Sequence, residues 1–451
     1  MKQILLLLLI ALSLSVNATH NRAGEITYIH VSGFEYKAVI TTYTKTSASE
    51  EDRPELEIKW GDGTSDTIQR ESIEFLPNDA QKNIYRGTHV YAGEGTFVIS
   101  MEDPNRTAGV INIPSSVDVV FYIESVLTIN STSGHNNSVL LLNPPLSNAC
   151  IDKLYIHNTG AVDIDGDSLS FKLVECKGMD GLPIPGYTFP DQWPSGDDNN
   201  LWIDQESGNL FWDSPKMQGE YNIAILIEEW RTGVMVGSVI RDMQITAFAC
   251  SNNPPVIEAI ADTCVNAGET LIVTVAANDP DNNNVALNAF GEPLDIGNNT
   301  GIFSQSTQGP PTAHGVFIWV PEIDKIRAEP YVVTIKAKDN GGDVDLSDFE
   351  MFKVTVASDC DALVSVSKNV RNKISFELFP NPAFDEVKLS ITAQRKVIRL
   401  KVYTLTGNQI MEEPIHKNQL VIDISKLLPG MYLMELEDID GYKLVKRLIV
   451  K

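Results

Sequence analysis

The stretch Gly-Asn-Leu-Phe-Trp-Asp-Ser-Pro at residues 208–215 returns, little changed, as Gly-Val-Phe-Ile-Trp-Val-Pro at residues 315–321. In both stretches a glycine opens a short run of aliphatic and aromatic residues, and a proline closes it. Such a run, bounded by turn-forming residues, is typical of a β-strand. Two copies of so specific a strand predict a duplicated structural unit.

The segments around this strand repeat in the same order. An aspartate-rich turn precedes each copy of the strand, and a tyrosine-led alternating segment follows it. A turn and two strands that recur at domain spacing are typical of β-sandwich repeats. The turns are residues 163–169 and 279–285, and the alternating segments are residues 221–225 and 331–335.

The rest of the chain has the same pattern of short strand-forming runs separated by turn-forming residues. Short β-branched and aromatic runs alternate with Gly, Asn, Asp and Pro clusters along nearly all of the 451 residues. This length is too great for one hydrophobic core. The sequence therefore predicts an all-β protein of tandem β-sandwich domains.

The duplicated unit resembles the cadherin-like and immunoglobulin-like repeats of bacterial surface proteins. The features that carry the resemblance are the Ser-Asn-Asn-Pro-Pro linker at residues 251–255, the Asp-x-Asp turn, and Lys-Asp-Asn-Gly-Gly at residues 338–342. The predicted boundaries are residues 131–250 for the first repeat and residues 251–360 for the second.

The segment before the repeats, residues 19–130, carries another signature. Trp-Gly-Asp-Gly-Thr at residues 60–64 is followed by Thr-His-Val-Tyr at residues 88–91 and Gly-Thr-Phe-Val-Ile at residues 95–99. This order resembles a PKD-type β-sandwich. The segment between the motifs, around residues 70–86, is longer than such domains usually carry, and His89 has a structural interpretation within its strand.

The last segment, residues 374–451, resembles the type A C-terminal sorting domain of the type IX secretion system of Bacteroidota. The resemblance rests on Leu-Phe-Pro-Asn-Pro-Ala at residues 378–383, Leu-Thr-Gly-Asn at residues 405–408, Leu-Leu-Pro-Gly-Met-Tyr-Leu at residues 427–433, and a basic final strand. It implies that the type IX secretion machinery is a partner and that the domain is removed after export.

The first residues also predict export. Residues 1–18 contain an early lysine, then a short apolar run, then a cleavage site with small residues. This order is typical of a secretory signal peptide. No later apolar run approaches the roughly 20 residues that span a bilayer. We expect no transmembrane segment, and a protein that is secreted or held at the outer cell surface.

Charge narrows the choice of partner. The chain has 60 acidic and 35 basic residues, which gives a formal charge of -25. Such a surface repels phosphates, so we expect no nucleic acid partner. It does attract divalent cations, and close-spaced aspartates on a turn supply the oxygens that calcium prefers.

The aspartate-rich turns are the candidate metal sites, with calcium as the possible cofactor. Asp and Asn also form turns without any metal, so the pattern alone leaves both interpretations open. In cadherin-like repeats a later acidic residue lies near such a turn, and the resemblance gives this place to Asp339 in the second repeat and to Glu228 or Glu229 in the first. The predicted turn ligands are Asp163, Asp165 and Asp167 in the first repeat and Asp279 and Asp281 in the second.

Five cysteines allow more than one disulfide pattern. The repeat analogy pairs Cys150 with Cys250 and Cys264 with Cys360, which leaves Cys176 free. The alternative joins Cys150 to Cys176 and Cys250 to Cys264 across the linker. Both patterns suit an exported chain without a CxxC motif.

No catalytic motif emerges: there is no HExxH pair, no GxSxG elbow and no phosphate-binding loop. Trp212 and Trp319 recur in the repeat strand and are expected in the core. Trp193 and Trp202 lie in a polar insertion, where aromatic rings can bind protein or glycan. The sequence predicts a non-enzymatic exported adhesion or binding protein, with an accessory carbohydrate-binding protein for extracellular polysaccharide use as the alternative.

Overall fold

The computed structural model describes residues 21–47, 52–194, 199–295, 300–307, 310–341, 344–360, 374–393, 397–404, 409–415, 417, 419–438 and 443–451. The predicted signal peptide and the predicted turn at residues 405–408 lie outside the described residues. The chain divides into two compact units, Met1–Ser358 and Asp359–Lys451. Strands dominate both units, which confirms the all-β prediction.

The first unit begins with a sandwich built around Trp60, Tyr85 and Phe121, all of which are buried. The long segment between the two PKD-like motifs forms a hairpin whose turn contains Asn78 and Asp79 at positive φ. Its strands are β1 (Asn21–Ser32), β2 (Glu35–Thr44), β3 (Glu55–Lys59), β4 (Ser65–Leu76), β5 (Ala80–Val90), β6 (Gly95–Asp103) and β7 (Phe121–Ile129). A short 3-10 helix, Ser116–Asp118, precedes β7.

The first repeat packs its own core around Trp212, Tyr221 and Phe171. A 3-10 helix, Met179–Gly181, lies in its long insertion. The strands are β8 (Leu140–Leu141), β9 (Leu146–Cys150), β10 (Tyr155–Asn158), β11 (Ala161–Val162), β12 (Ser168–Val174), β13 (Asn200–Ile203), β14 (Asn209–Asp213), β15 (Gly219–Arg231) and β16 (Val234–Phe248).

Strand β16 joins the first repeat to the sandwich before it. It pairs with β15 along its length, and it also pairs with β7 at Gly237↔Leu127 and with β1 at Gly24↔Asp242. The result is one 11-stranded sheet that runs from β1 to β12. The sandwich of residues 21–130 and the first repeat therefore share one sheet, and an apolar cluster that includes Val110, Ile113 and Ile184 draws residues from both sides of residue 130.

A buried ion pair supports this junction. Arg106 Nη1 and Nη2 donate to the two carboxylate oxygens of Asp242 over 3.0 and 2.7 Å, and neither side chain is more than 1% exposed. Arg241 Nη2 also donates to Glu25 over 3.0 Å. A hydrogen-bonded ion pair without water tolerates little displacement, so these contacts fix the two segments against each other.

The second repeat is a sandwich of two four-stranded sheets, β17-β19-β22-β21 and β18-β24-β23-β20. Trp319, Phe317 and Phe352 lie between them. The elements are β17 (Val256–Ile257), β18 (Thr263–Asn266), β19 (Leu271–Asn278), β20 (Val285–Gly291), helix α1 (Glu292–Asp295), β21 (Ile302–Thr307), β22 (Thr312–Trp319), a 3-10 helix (Ile323–Lys325), β23 (Tyr331–Asp339) and β24 (Ser347–Ala357).

The two repeats pack side by side within the first unit. The ring of His157 on β10 lies 6.1 Å from that of Phe349 on β24, and Lys336 donates to Asn143 over 3.0 Å. His157 is buried, and burial together with the charges of Arg241 and Lys336 holds its pKa well below the usual value. This part of the interface therefore holds a neutral histidine.

The second unit is a smaller sandwich with a core that includes Phe376, Leu400 and Leu448. Its sheets have the orders β25-β26-β29 and β28-β27-β30-β31. The strands are β25 (Ile374–Phe379), β26 (Glu386–Ala393), β27 (Val397–Thr404), β28 (Gln409–Pro414), β29 (Gln419–Asp423), β30 (Gly430–Asp438) and β31 (Lys443–Val450).

The cysteines follow the first of the two predicted patterns. Cys150 is bonded to Cys250 with a Cα–Cα distance of 5.6 Å. Cys264 and Cys360 are each disulfide-bonded, and Cys176 is free and buried. The repeat analogy was therefore right, and the alternative across the linker was wrong.

Candidate functional site

The first acidic turn is organised by Asp163. Its Oδ1 accepts the backbone N–H groups of Asp165 and Asp167, both over 2.9 Å. Its Oδ2 is buried and has no hydrogen-bond partner among the described residues. The three aspartates each place a carboxylate oxygen within 4.8 Å of the others. The structure thus brings together the three turn aspartates that the sequence named as candidate metal ligands.

A cation from the protein lies against this turn. Arg231, the last residue of β15, donates from Nε and Nη2 to the two oxygens of Asp167 over 2.7 and 2.6 Å. Its Nη2 also lies 3.2 Å from Asp165 Oδ2. The remaining contacts are with residues 131–137, the opening segment of the first repeat, at the carbonyl oxygens of Ser133 and His135 and at Asn136 Oδ1.

Two adjacent asparagines connect the turn to the start of the repeat. Asn137 donates its backbone N–H and its Nδ2 to the carboxylate of Asp165, both over 2.7 Å. Asn136 Nδ2 donates to Glu229 over 2.6 Å. This asparagine pair was not predicted, but a signal for it is present in the sequence. Asn136-Asn137 stands as far before Asp163 as the linker pair Asn252-Asn253 stands before Asp279.

Two acids at the centre of the first site have raised pKa values and hold their protons more tightly than free carboxyl groups. Burial, with repulsion from Asp167 and Asp165, raises the pKa of Asp163 to about 7. Burial and the nearby charge of Asp163 raise the pKa of Glu229 to about 8. Of the two glutamates that the sequence offered, Glu229 is the one that contacts the site, while Glu228 binds Lys172 and Trp230.

The second acidic turn repeats the backbone of the first. Asp279 Oδ1 accepts the N–H groups of Asp281 and Asn283, again over 2.9 Å, and Asp279 Oδ2 is buried without a partner among the described residues. Asn253 donates its backbone N–H and Nδ2 to Asp281 over 2.6 and 2.9 Å. Both turns are therefore closed by the same set of hydrogen bonds.

Asp339, at the end of β23, takes the place of Glu229. Its Oδ2 accepts Asn252 Nδ2 over 2.7 Å, and its Oδ1 accepts the N–H of Leu346 over 2.7 Å. Burial raises the pKa of Asp339, and the charge of Asp279 adds to the effect. The residue that the resemblance selected is therefore part of the second site.

The two sites differ in their cations and in how tightly the acids converge. In the part of the chain that the structure describes, no ion pair joins Asp279, Asp281 or Asp339 to a lysine or arginine. The oxygens of these three residues do not form a group as close as that of the first turn. Within the described part of the chain, the acids of the second site thus have no ion-paired lysine or arginine, whereas those of the first are paired with Arg231.

The orphaned oxygens allow a test of the fit to calcium. Calcium takes six to eight oxygen ligands from carboxylates, carbonyls and water in a flexible arrangement. At the second turn, Asp279 Oδ2 and the exposed carboxylate of Asp281 can supply such oxygens, together with Asp339. At the first turn the oxygens of Asp165 and Asp167 are already bound to a guanidinium. The residues of the second turn therefore fit calcium better than those of the first.

The first turn is also covered by the second repeat. Gly166 has φ +81°, and any side chain there would begin 2.6 Å from Nη1 of Arg327, which pairs with Glu292. A cavity of about 270 Å3 adjoins this contact, with Phe171 on one wall and Met351 on the other. The second repeat thus lies close to the first acidic turn without filling the space between them.

The other residues selected from the sequence divide into core and surface. Trp212 and Trp319 are buried, as expected. His89 stacks on Trp60 and lies 2.8 Å from Asp62, which supports its structural interpretation. Trp202 stacks on Phe211. Trp193 is 43% exposed and donates its Nε1–H to Thr188.

Residues 377–451 match the secretion system C-terminal sorting domain, which confirms the predicted type IX sorting domain. This domain indicates secretion or attachment to the outer surface. No described helix has the length and apolar character needed to cross a membrane. Among curated protein sequences, none matches the chain, and no catalytic family is matched.

The chain has low similarity to solved structures of a cadherin, of tandem Ig repeats and of a bacterial adhesin. Drosophila N-cadherin EC1-3 is 10% identical, with 68% of this chain and 91% of that chain covered and a TM-score of 0.19. The tandem Ig repeats of Dlar are 12% identical, with 49% and 98% covered and a TM-score of 0.21. The SrpA adhesin of Streptococcus sanguinis is 12% identical, with 45% and 96% covered and a TM-score of 0.20. Similarity at this level carries no inference about ligands.

Proposed function

We propose that this chain is a non-enzymatic exported protein that presents a binding surface for adhesion, and that calcium at the second acidic turn holds this surface rigid. The sorting domain supports export. The observation that carries the calcium proposal is Asp279, which is 1% exposed and keeps Oδ2 without a partner among the described residues, next to Asp339 and with no ion pair to either acid.

The chemistry of the second turn supports this choice of ion. A buried carboxylate without a counter-ion is costly, and it is relieved either by protonation or by a bound cation. Carboxylate and amide oxygens are hard ligands that suit calcium, and no cysteine or histidine joins the group. Asp279, Asp281 and Asp339 would hold the ion, which would neutralise their charge and tie the turn to the end of β23.

The contacts around Asp339 explain what such a cross-link does. Asp339 Oδ1 accepts the N–H of Leu346, and Asn252 Nδ2 donates to the carbonyl of Val344 over 3.1 Å. Val344 and Leu346 pack against the Cys150–Cys250 disulfide of the first repeat. An ion that fixes Asp339 therefore also fixes the contact between the two repeats.

A rigid pair of repeats suits a protein whose work is binding. Rigid surfaces lose less conformational entropy when a partner docks, and so bind more tightly for the same contacts. The partner is a protein or a glycan, because the acidic surface disfavours nucleic acid.

The predicted ligands of the first turn, Asp163, Asp165 and Asp167, form the weaker part of the calcium proposal. Calcium there would have to displace Arg231 or bind beside it.

Thermal unfolding with calcium and with EDTA tests the proposal. We expect calcium to raise the melting temperature of the protein, and Asp339→Asn to abolish the shift. The control is Asp345→Asn, which removes an exposed carboxylate that pairs with Lys338 on the same repeat. A melting temperature indifferent to calcium, or a shift that survives in Asp339→Asn, would count against the second turn as the site.

The second candidate function, carbohydrate binding, is favoured by Trp193. Its 43% exposed ring offers a flat apolar face of the kind that stacks on sugars. We expect Trp193→Ala to abolish binding on a glycan array if this function is correct. Trp202 is a poorer probe because its ring packs on Phe211, so its loss also disturbs the sandwich.

A further inference from the structure

The two acidic turns are built alike except at one position. In each turn, the first aspartate accepts two backbone N–H groups. One asparagine of a pair then donates to the second aspartate of the turn, and the other asparagine donates to an acid at the end of a strand, Glu229 or Asp339. Arg231 stands two residues after Glu229, and Gly341 stands two residues after Asp339. The structural equivalent of the arginine is therefore a glycine.

Arg231 makes the contacts that a bound cation would make. The guanidinium has five N–H donors in a rigid fork. All three nitrogens of Arg231 make hydrogen bonds. They bind the carboxylates of Asp165 and Asp167 on one side and the carbonyl oxygens of Ser133 and His135 on the other. Arg231 thus ties the acidic turn to the opening segment of the first repeat and neutralises part of the turn's negative charge.

A side chain at Gly341 would have to displace the amide of Asn252, which is hydrogen-bonded to Asp339 and Val344. A Cβ atom there would lie 1.8 Å from Asn252 Nδ2, far inside contact distance. The linker asparagine takes the space that a side chain would need. The second turn is therefore closed to an arginine from this position, and among the described residues no ion pair supplies another.

We infer that Arg231 is a built-in cation that takes the place of calcium at the first turn, so that the junction before the first repeat is locked without calcium and only the second turn depends on the ion. The inference rests on the proposed calcium site for its second half only. A calcium ion at Asp163 would meet the positive guanidinium at close range, and the repulsion lowers its affinity.

Removal of calcium should affect the second repeat and leave the first repeat unchanged. Withdrawal of the ion is expected to loosen the second repeat at Asn252, Asp339 and Leu346. The sandwich of residues 21–130 and the first repeat should stay joined, since Asn136, which accepts from Arg231, also donates to Tyr28 of β1, and β16 pairs with β1 and β7, all without a metal. The calcium response is therefore confined to one side of the first unit.

Calcium titration of Arg231→Gln tests the inference. Isothermal titration of the wild-type chain should give one ion, and the variant should give two, with the affinity of the first turn raised at least about tenfold once the positive charge is gone. The control is Arg86→Gln, which removes an arginine from a surface pair with Glu71 and should leave one ion. An Arg231→Gln protein that binds no more calcium ions than the wild type overturns the inference.

The outcomes also separate this inference from the proposed function. If the wild type binds no calcium and Arg231→Gln binds one ion, the second turn is not a calcium site but the inference stands. Hydrogen exchange on the wild type gives a readout that needs no variant. Calcium should slow exchange at the amides of Asp281 and Asn283 and leave those of Asp165 and Asp167 unchanged, whereas slowing at the latter pair would overturn the inference.

Discussion

Arg231 and Gly341 occupy equivalent positions in the two repeats, and both lie against an asparagine of the segment that opens the repeat. Arg231 Nη2 donates to Asn136 Oδ1 over 3.1 Å. At Gly341 the space that a Cβ atom would take is occupied by the side-chain amide of Asn252. The same backbone design is thus completed by an arginine in one repeat and is left open in the other, and the proposals above follow from this difference.

The buried acids of the first site should make stability fall as pH rises. Asp163 and Glu229 have pKa values raised to about 7 and about 8, so between pH 5 and those values the folded chain holds protons that the unfolded chain has released. Chemical denaturation in EDTA should show a loss of a few kcal/mol over this range, since each pKa unit is worth about 1.4 kcal/mol.

Asp163→Asn should flatten that dependence, because it keeps the oxygen that accepts the two turn amides and removes the charge that repels Glu229. Asp345→Asn, on an exposed carboxylate, should leave the slope as it is. An Asp163→Asn protein with the wild-type slope would mean that the two acids do not titrate as described.

The single free thiol should be unreactive in the native protein. Cys176 is 0% exposed, and burial raises its pKa well above the usual value, so the thiolate that reacts with alkylating agents is scarce. Mass spectrometry after alkylation should show modification of Cys176 only in denaturant. Rapid labelling of the native chain, or a peptide that joins Cys176 to another cysteine, would be inconsistent with the structure.

Removing one half of the Arg106–Asp242 pair should be strongly destabilising. Arg106→Met leaves the Asp242 carboxylate buried and uncompensated, which costs about 3–5 kcal/mol in comparable pairs. Arg86→Gln, on the surface, should cost no more than about 1 kcal/mol. The measurement is urea denaturation followed by tryptophan fluorescence, and equal midpoints for the two variants would argue against the buried junction.

Local pattern revealed much of this architecture. The repeat of Trp212 and Trp319 predicted the two sandwiches, and matching positions of Cys150 and Cys264 suggested one of the two disulfide patterns that the sequence left open, the one that the structure has. The aspartates of the first turn could be found because Asp-x-Asp spacing places side chains on one side of a tight turn. These features depend on residues near one another in sequence.

The remainder depends on contacts between distant residues. The pairing of β16 with β1 and β7 brings residues near 240 against residues near 24 and 127, and no local pattern specifies it. Arg231 was missed because its partners at 133–137 and 165–167 lie far away in sequence. The Asn136-Asn137 pair was visible in principle, as a second copy of the linker motif at the same interval before the aspartate turn.

The most direct test of the account is a crystal structure of the protein grown with calcium, with the ion located by its anomalous scattering. We predict one calcium peak in the first unit, with Asp279 and Asp339 as ligands at about 2.3–2.6 Å. Arg231 should still be paired with Asp167 in the same map. A map with no ion at the second turn, or with calcium in the place of the Arg231 guanidinium, would contradict it.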